Sequence, residues 1–327
     1  MLSFHSAGKD GLEVATDAKT IPSEVNWIDA ERPDPQEIAF LERTLKIAVP
    51  TPETLSEIET SSRLRSEKDW LYLSIPMIHR KDGFMPALTP LGFVLSKDVL
   101  LTVRFKDMKA FDDVLDTVSR HPMQAGGPGA LVAILEAIVD HAADVLEGVA
   151  GDLDCLSEEI FGTNAANVRR HKPREDGAQL RLVLHKVGRN GDLTSKIEDL
   201  LLGMARMVPY VGANAAPYLE AGIRAKLKSL QRDIDSLNDY ETHLTDKIHF
   251  LLDATLGLTN IEQNNIFRIL TVVSVIGIPP TFFASMWGMN FKNIHEFDWT
   301  YGYEFGLFII ALSALTPIIW FKWRGWW

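Results

Sequence analysis

From Ile269 to Phe291 no residue carries a charge, yet this apolar run contains Thr271, Ser274, Thr281 and Ser285, the small Gly277 and the pair Pro279-Pro280, and it closes on Gly288-Met289-Asn290. About twenty apolar residues in helical form are what a bilayer core demands, so these hydroxyls and the amide are neutral oxygen groups set in a membrane-spanning segment. Small and hydroxyl residues at that depth serve close helix contacts. They can also line a polar path, but only between several assembled copies, because a lone hairpin of two spans encloses no lumen. Residue types alone leave both readings open. A second charge-free run, 305–321, lies between Glu304 and Lys322 and is at the short limit for a span. Tyr301, Tyr303, Trp320, Trp323, Trp326 and Trp327 flank it, as aromatic belts flank spans at the membrane surface. Two spans put both ends on one side, and Arg268, Lys322 and Arg324 favour the cytoplasm for that side.

The rest of the chain must position these spans. At 327 residues, 46% hydrophobic and 24% charged, with a mean hydropathy of +0.00, the protein is neither disordered, nor collagen-like, nor built mainly of spans. The average hides an asymmetry: residues 266–327 sum to +1, so −12 of the −11 total resides in residues 1–265. Such an acidic body speaks against nucleic acid, whose phosphates need clustered Lys and Arg, and suits cations. Cys155 is the single cysteine, so no intramolecular disulfide is expected, and no Cys/His spacing suggests zinc. The N-terminus lacks a basic segment followed by an apolar run, so no secretory signal is expected and the body should be cytoplasmic.

Residues 1–128 read as a small α/β domain, with strands at 70–78 and at 91–106 around a Ser96-Lys97-Asp98 turn. The Gly126-Gly127-Pro128-Gly129 breaker follows. Residues 129–216 form an acidic helical hairpin, with helices near 130–162 and 177–206. Proline is then absent from Pro217 to Pro279, room for a helix of roughly 90 Å, read as a stalk over 217–268. In it Ile223, Leu227, Leu230, Ile234, Leu237, Leu244, Ile248 and Leu251 keep a 4,3 spacing, with one step held by Tyr240 or Glu241. That pattern fits association with another helix along a seam or packing onto the helix's own domain, with equal weight. Transmembrane helix 269–291, loop 292–304, transmembrane helix 305–321 and a basic C-terminus 322–327 complete the chain.

The run 270-LTVVSVIGIPPTFFASMWGMNF-291, with Pro279-Pro280-Thr281-Phe282 leading into Gly288-Met289-Asn290, resembles the first transmembrane helix of the CorA family of divalent-cation channels. The short acidic loop, second span and Phe321-Lys322-Trp323-Arg324 end extend the resemblance, which plausibly covers the whole chain. It implies an α+β membrane protein: an N-terminal α/β cytoplasmic domain, a helical hairpin, and a long stalk helix continuing into the first of two C-terminal transmembrane helices. It further implies a funnel-shaped homopentamer of the inner membrane, both termini cytoplasmic, the first span lining the pore.

By that resemblance Gly288, Met289 and Asn290 form the selectivity filter, and Thr281, Ile278 and Leu270 line the pore below it. Mg²⁺ gives up its waters reluctantly, so neutral Asn290 oxygens would bind the hydrated ion without trapping it. Thr281 is the next polar ring; Ile278 and Leu270 are hydrophobic constrictions. Glu296 and Asp298 in the loop would concentrate cations. His295 stands where the family usually has proline, and a histidine ring favours borderline-soft metals such as Zn²⁺, Co²⁺ or Ni²⁺. Asp253, in 251-LLDATLGLTNIEQNN-265, matches the family's stalk aspartate that binds regulatory Mg²⁺; Asp82, beside Lys81, is its candidate partner. Asp152, Asp154, Glu158 and Glu159 read as a solvated, screening face. No cofactor is implied, Mg²⁺ being cargo and regulator. A divalent cation gains about 4.6 kcal/mol per 100 mV of negative-inside potential, and no GxxxxGK[ST] loop suggests a pump. The alternatives are a ZntB-like Zn²⁺ transporter, whose usual Gly-Val-Asn differs from the sequence here, and a membrane-tethered coiled-coil scaffold. An enzyme is the least favoured reading: the nine histidines are dispersed and no catalytic motif occurs.

Overall fold

The computed structural model describes residues 1–6, 21, 22, 24–57, 59–79, 86–106, 108–120, 126–161, 173–289 and 299–325. It divides into two compact units, Met1–His171 with Arg181–Leu252, and Lys172–Leu180 with Asp253–Trp327.

The first unit is built on a six-stranded sheet in the order β1-β2-β6-β5-β4-β3. Its strands are β1 (Leu2–Ser6), β2 (Val25–Glu31), β3 (Leu64–Glu67), β4 (Trp70–His79), β5 (Ala87–Leu95) and β6 (Leu100–Arg104). Every pairing is antiparallel except β2 with β6. The expected turn at Ser96-Lys97-Asp98 does join β5 to β6. The Ser96 amide donates to the Val99 carbonyl at 3.0 Å, and the Ser96 hydroxyl accepts from the Val99 amide at 3.1 Å. All five residues of β6 are buried, which requires cover on both faces.

Strand alternation sorts the two faces. Ile28, Ala30, Val94, Leu101, Val103 and Tyr72 join one core with Phe40 and Leu41 of α1 (Pro35–Leu45). The start of α1 is legible in Asp34-Pro35-Gln36-Glu37. Asp34 accepts from the Gln36 and Glu37 amides at 2.8 Å each, and Glu37 accepts from the Asp34 amide at 3.0 Å. This is a capping box with proline in the first turn. The short helices α2 (Pro52–Leu55) and α3 (Thr60–Arg63) follow it. On the opposite face, α4 (Lys109–Arg120) and α5 (Gly127–Phe161) pack on the sheet. A side chain at Gly127 would put its Cβ 2.5 Å from the Ser96 carbonyl oxygen and 2.7 Å from that of Val99. The glycine-rich breaker is therefore also the place where α5 presses on the β5–β6 turn.

One polar network is sealed into that face. Trp27 Nε1 donates to Thr102 Oγ1 at 3.0 Å, and Thr102 donates to Asp29 Oδ1 at 2.6 Å. Arg104, its side chain 4% exposed, reaches Asp29 at 3.1 Å, Glu31 at 3.3 Å and Asp112 at 2.7 Å, with its guanidinium 5.3 Å from the Phe111 ring centre.

Helices α6 (Pro173–Asn214) and α7 (Ala221–Trp287) follow; α6 is longer than the expected 177–206, and α7 runs from the stalk into the first apolar span as one helix. The seam residues Ile223, Leu227, Leu230, Ile234, Leu244, Ile248 and Leu251 are buried within this single chain, whereas Leu237 is only half-buried. Ile248 lies 3.6 Å from the Cβ position of Gly191 on α6, and Phe250 stacks on Phe161 of α5 at 5.7 Å. Lys226–Glu136 at 3.0 Å and Lys247–Asp154 at 2.5 Å tie α7 to α5. Of the two readings of the 4,3 spacing, the structure realises packing of the helix on its own chain.

Glu241, not Tyr240, holds the missing step: it is 4% exposed against 37% for Tyr240. Burial raises the Glu241 carboxyl above its ordinary value and Glu198 adds repulsion, against a hydrogen bond donated by Thr245 at 2.7 Å. A carboxyl raised on folding contributes stability below its unfolded pKa, and that contribution is lost as pH rises through the folded value. Glu241→Gln, which keeps an acceptor for Thr245, is expected to stabilise the protein by roughly 1 kcal/mol at pH 8. The gain should shrink toward pH 5, as thermal unfolding of the detergent-solubilised protein at both pH values will measure.

The second unit contains the end of α7 and α8 (Gly302–Trp323). Both helices are long and apolar enough to cross a membrane. Alpha7 runs through Pro279 and Pro280 to Trp287 without a break. Neither proline has an amide hydrogen, so the carbonyls of Val275 and Ile276 lose their usual intrahelical donors.

Candidate functional site

At the end of α7 the backbone tightens. The Gly288 amide still donates to Ala284 O at 3.0 Å, but the Met289 amide donates to Met286 O at 3.4 Å, a shorter turn. Gly288 has its Cβ position 3.2 Å from the Ala284 carbonyl, and Met289 is exposed. Asn290, Glu296, Asp298 and His295 lie outside the described residues, as do Asp82 and Lys81.

Below this end, Leu270, Gly277, Thr281 and Gly288 fall within about 20° of one line along a helix of 100° per residue. Ile278 lies about 80° round the helix from that line. Leu270 is 60% exposed and Ile278 64%, and a Cβ at Gly277 would meet nothing within 4 Å. Apolar side chains that open on a membrane helix await either lipid or another subunit. Thr281 is also exposed. Its hydroxyl lies 2.8 Å from Ile278 O and 3.1 Å from Gly277 O, and it donates to these carbonyls of its own helix. With its proton so engaged, the oxygen presents only lone pairs outward. A hydrated cation turns water hydrogens outward, so such an oxygen suits it as an acceptor.

Gly306 of α8 comes within 3.6 Å of the Trp287 ring, measured from its Cβ position, and with Trp299, Thr300 and Tyr303 these residues line a cavity of about 530 Å³. Trp299 and Phe305 pack at 5.5 Å. On the basic end Arg324 lies over Trp320 at 5.6 Å, an anchor of the aromatic and cationic kind that membrane surfaces favour.

Asp253 is exposed. Of the hairpin acids, Asp152, Asp154 and Glu158 are exposed and Glu159 half-buried. Asp154 and Glu159 are spent on Lys247 and Lys186, at 2.5 and 3.3 Å. Among the described residues no cluster of three or more His, Cys, Asp or Glu has metal-holding geometry. One charge arrangement had no signal in the spacing of apolar residues. Burial raises Asp140 on α5 above its ordinary value, and Asp144, Glu136 and Asp233 of α7 add to the shift by repulsion.

Comparison with known proteins places these features. The family described as CorA-like Mg²⁺ transporter protein matches residues 22–323. The magnesium transport protein CorA of Wolinella succinogenes is 28% identical over 315 residues, covering 93% of this chain and 92% of that protein. The CorA of Escherichia coli K12 is 28% identical over 301 residues, covering 92% and 91%. The complete structure of the CorA magnesium transporter from Methanocaldococcus jannaschii matches 100% of this chain and 98% of its own, with a TM-score of 0.74 at 19% identity. The full-length CmaX protein matches 99% and 96% with a TM-score of 0.66 at 16% identity. Both structural likenesses concern the fold.

Proposed function

This chain belongs to the CorA-like Mg²⁺ transporter family, and on that premise we propose that it carries Mg²⁺ across the inner membrane as a homopentameric, funnel-shaped channel. Co²⁺ and Ni²⁺ are secondary cargo in this reading. The observation that carries it is the joint presence, in one unbroken helix, of a charge-free span, a Thr281 oxygen offered outward as an acceptor, and a Gly288-Met289 terminus leading to Asn290. Five copies would turn the line of Leu270, Thr281 and Gly288 inward, with Ile278 at its flank. The ring of Asn290 amide oxygens, with Gly288 and Met289 behind it, would select the hydrated ion. Thr281 would receive it and Ile278 and Leu270 would close behind it by excluding water.

Glu296 and Asp298 in the loop would gather cations at the outer mouth. The membrane potential supplies the driving force, about 2.3 kcal/mol per charge per 100 mV. Asp253, exposed on α7, is the cytosolic regulatory residue in this reading, with Asp82 of another subunit as its partner and Mg²⁺ between them. Each termini pair stays cytoplasmic.

The test is the purified protein in liposomes holding Mg²⁺- or Zn²⁺-sensitive dye, with a negative-inside potential imposed. Mg²⁺ influx that grows with the potential is the expected result. Robust Zn²⁺ influx without Mg²⁺ influx would replace this reading by the Zn²⁺ transporter, and no flux of either ion would leave the scaffold.

A further inference from the structure

Within the first unit, a cleft of about 250 Å³ opens where the β3–β4 side of the sheet meets α6, lined among others by Arg63, Ser74, Pro76, Asp199, Gly203 and Arg206. The closeness of α6 to the sheet shapes it: the Cβ position of Gly203 is 3.0 Å from the Pro76 ring. The chain has 44 acidic residues against 33 basic ones, so a surface arginine has carboxylates in excess to choose from. Arg65, two residues on in β3, behaves that way, pairing with Glu67 at 3.4 Å and stacking on Tyr72 at 4.4 Å.

The two cleft arginines do not. Arg63 donates through Nε to the Glu57 carbonyl at 2.7 Å, which orients its guanidinium and leaves both terminal nitrogens without a partner among the described residues. Arg206 has no hydrogen bond or ion pair with any described residue, and neither has the Asp199 carboxylate in the same cleft. Ser74 is only 5% exposed, yet it lines the cleft and its hydroxyl bonds to no described residue. Two guanidiniums lining one cleft, one of them an oriented fork, and an idle hydroxyl make a donor set for one oxyanion.

We propose that this cleft binds a small phosphomonoester that also carries a hydroxyl group. The phosphate lies between Arg63 and Arg206 and receives the Ser74 hydroxyl, while Asp199 accepts from the ligand's own hydroxyl. The volume, below the ~300–1,000 Å³ of sites for drug-sized ligands, fits a few-carbon phosphate and excludes a nucleotide. Asp199 sets the selectivity, since it accepts from the ester's alcohol hydroxyl, which inorganic phosphate lacks, while its charge repels the bare anion.

Calorimetric titration of the detergent-solubilised full chain with glycerol 3-phosphate, inorganic phosphate and glycerol tests this. Glycerol 3-phosphate is expected to bind, inorganic phosphate more weakly, and glycerol not at all. Arg63→Gln and Arg206→Gln should each weaken glycerol 3-phosphate binding about tenfold or more, with thermal unfolding unchanged in Arg206→Gln, whose side chain is exposed, and lowered only slightly in Arg63→Gln, which loses its bond to the Glu57 carbonyl. Asp199→Asn should bring the two phosphates to similar affinity. Absence of glycerol 3-phosphate binding by the unaltered protein, or binding that both arginine variants leave intact, overturns the proposal.

Discussion

Asn290→Ala is expected to cut potential-driven Mg²⁺ uptake into liposomes at least tenfold while the protein elutes from size exclusion as the unaltered one does. The argument is about the ion. Mg²⁺ holds an octahedral water shell tightly, so a filter that demanded bare Mg²⁺ would pass it slowly, and a carboxylate ring would hold it too well. A neutral amide oxygen accepts hydrogen bonds from the ion's own water. In the proposed ring, removing it from every copy would leave those hydrogens without acceptors, and an unmade hydrogen bond costs about 1–3 kcal/mol per group. The cost would be multiplied by the number of copies. Asn290 follows α7, which ends at Trp287, so the substitution alters no residue of that helix. Unaltered uptake in Asn290→Ala would contradict the role of Asn290 as the filter.

What the chain disclosed in advance followed local physics. A charge-free run and its aromatic flanks are consecutive residues, so both spans were legible. The β5–β6 hairpin was equally so, because Ser96-Lys97-Asp98 interrupts two β-rich runs. The 4,3 spacing of α7 showed an apolar stripe but could not name what covers it. Val183, Val187 and Ile197 are among the buried apolar side chains of α6, and Leu146, Leu153 and Leu156 among those of α5, and periodicity in one helix contains no address for another. Tyr240 and Glu241 looked interchangeable at the skipped step, since hydrophobicity favoured one and register the other; register won, at the cost of burying a carboxylate. The Arg63–Arg206 cleft joins residues distant along the chain, and each arginine alone reads as an ordinary surface charge.

The same limit applies to Arg104, whose replacement by alanine carries the largest expected loss of stability. Nothing near Arg104 in sequence marks it as buried; the parallel register of β2 with β6, pairing Asp29 with Thr102 and Glu31 with Arg104, brings the charges together. The side chains of Arg104 and Asp29 are 4% and 3% exposed. Forming such a pair from solvated ions returns little, because desolvation consumes most of the attraction. Breaking it is different. Alanine would leave the Asp29 carboxylate sealed under α4 with only the Thr102 hydroxyl at 2.6 Å, and would empty the space against Phe111. Removing one partner of a buried pair typically costs about 3–5 kcal/mol, a large part of the 5–15 kcal/mol that holds a domain folded. Arg104→Ala should therefore melt well below the unaltered protein. Combining it with Asp29→Asn removes the stranded charge while Thr102 keeps an acceptor, so the double variant should recover part of the loss. If Arg104→Ala costs less than about 1 kcal/mol, or if Asn at position 29 restores nothing, the network contributes shape rather than charge compensation to the sheet that carries the rest of the chain.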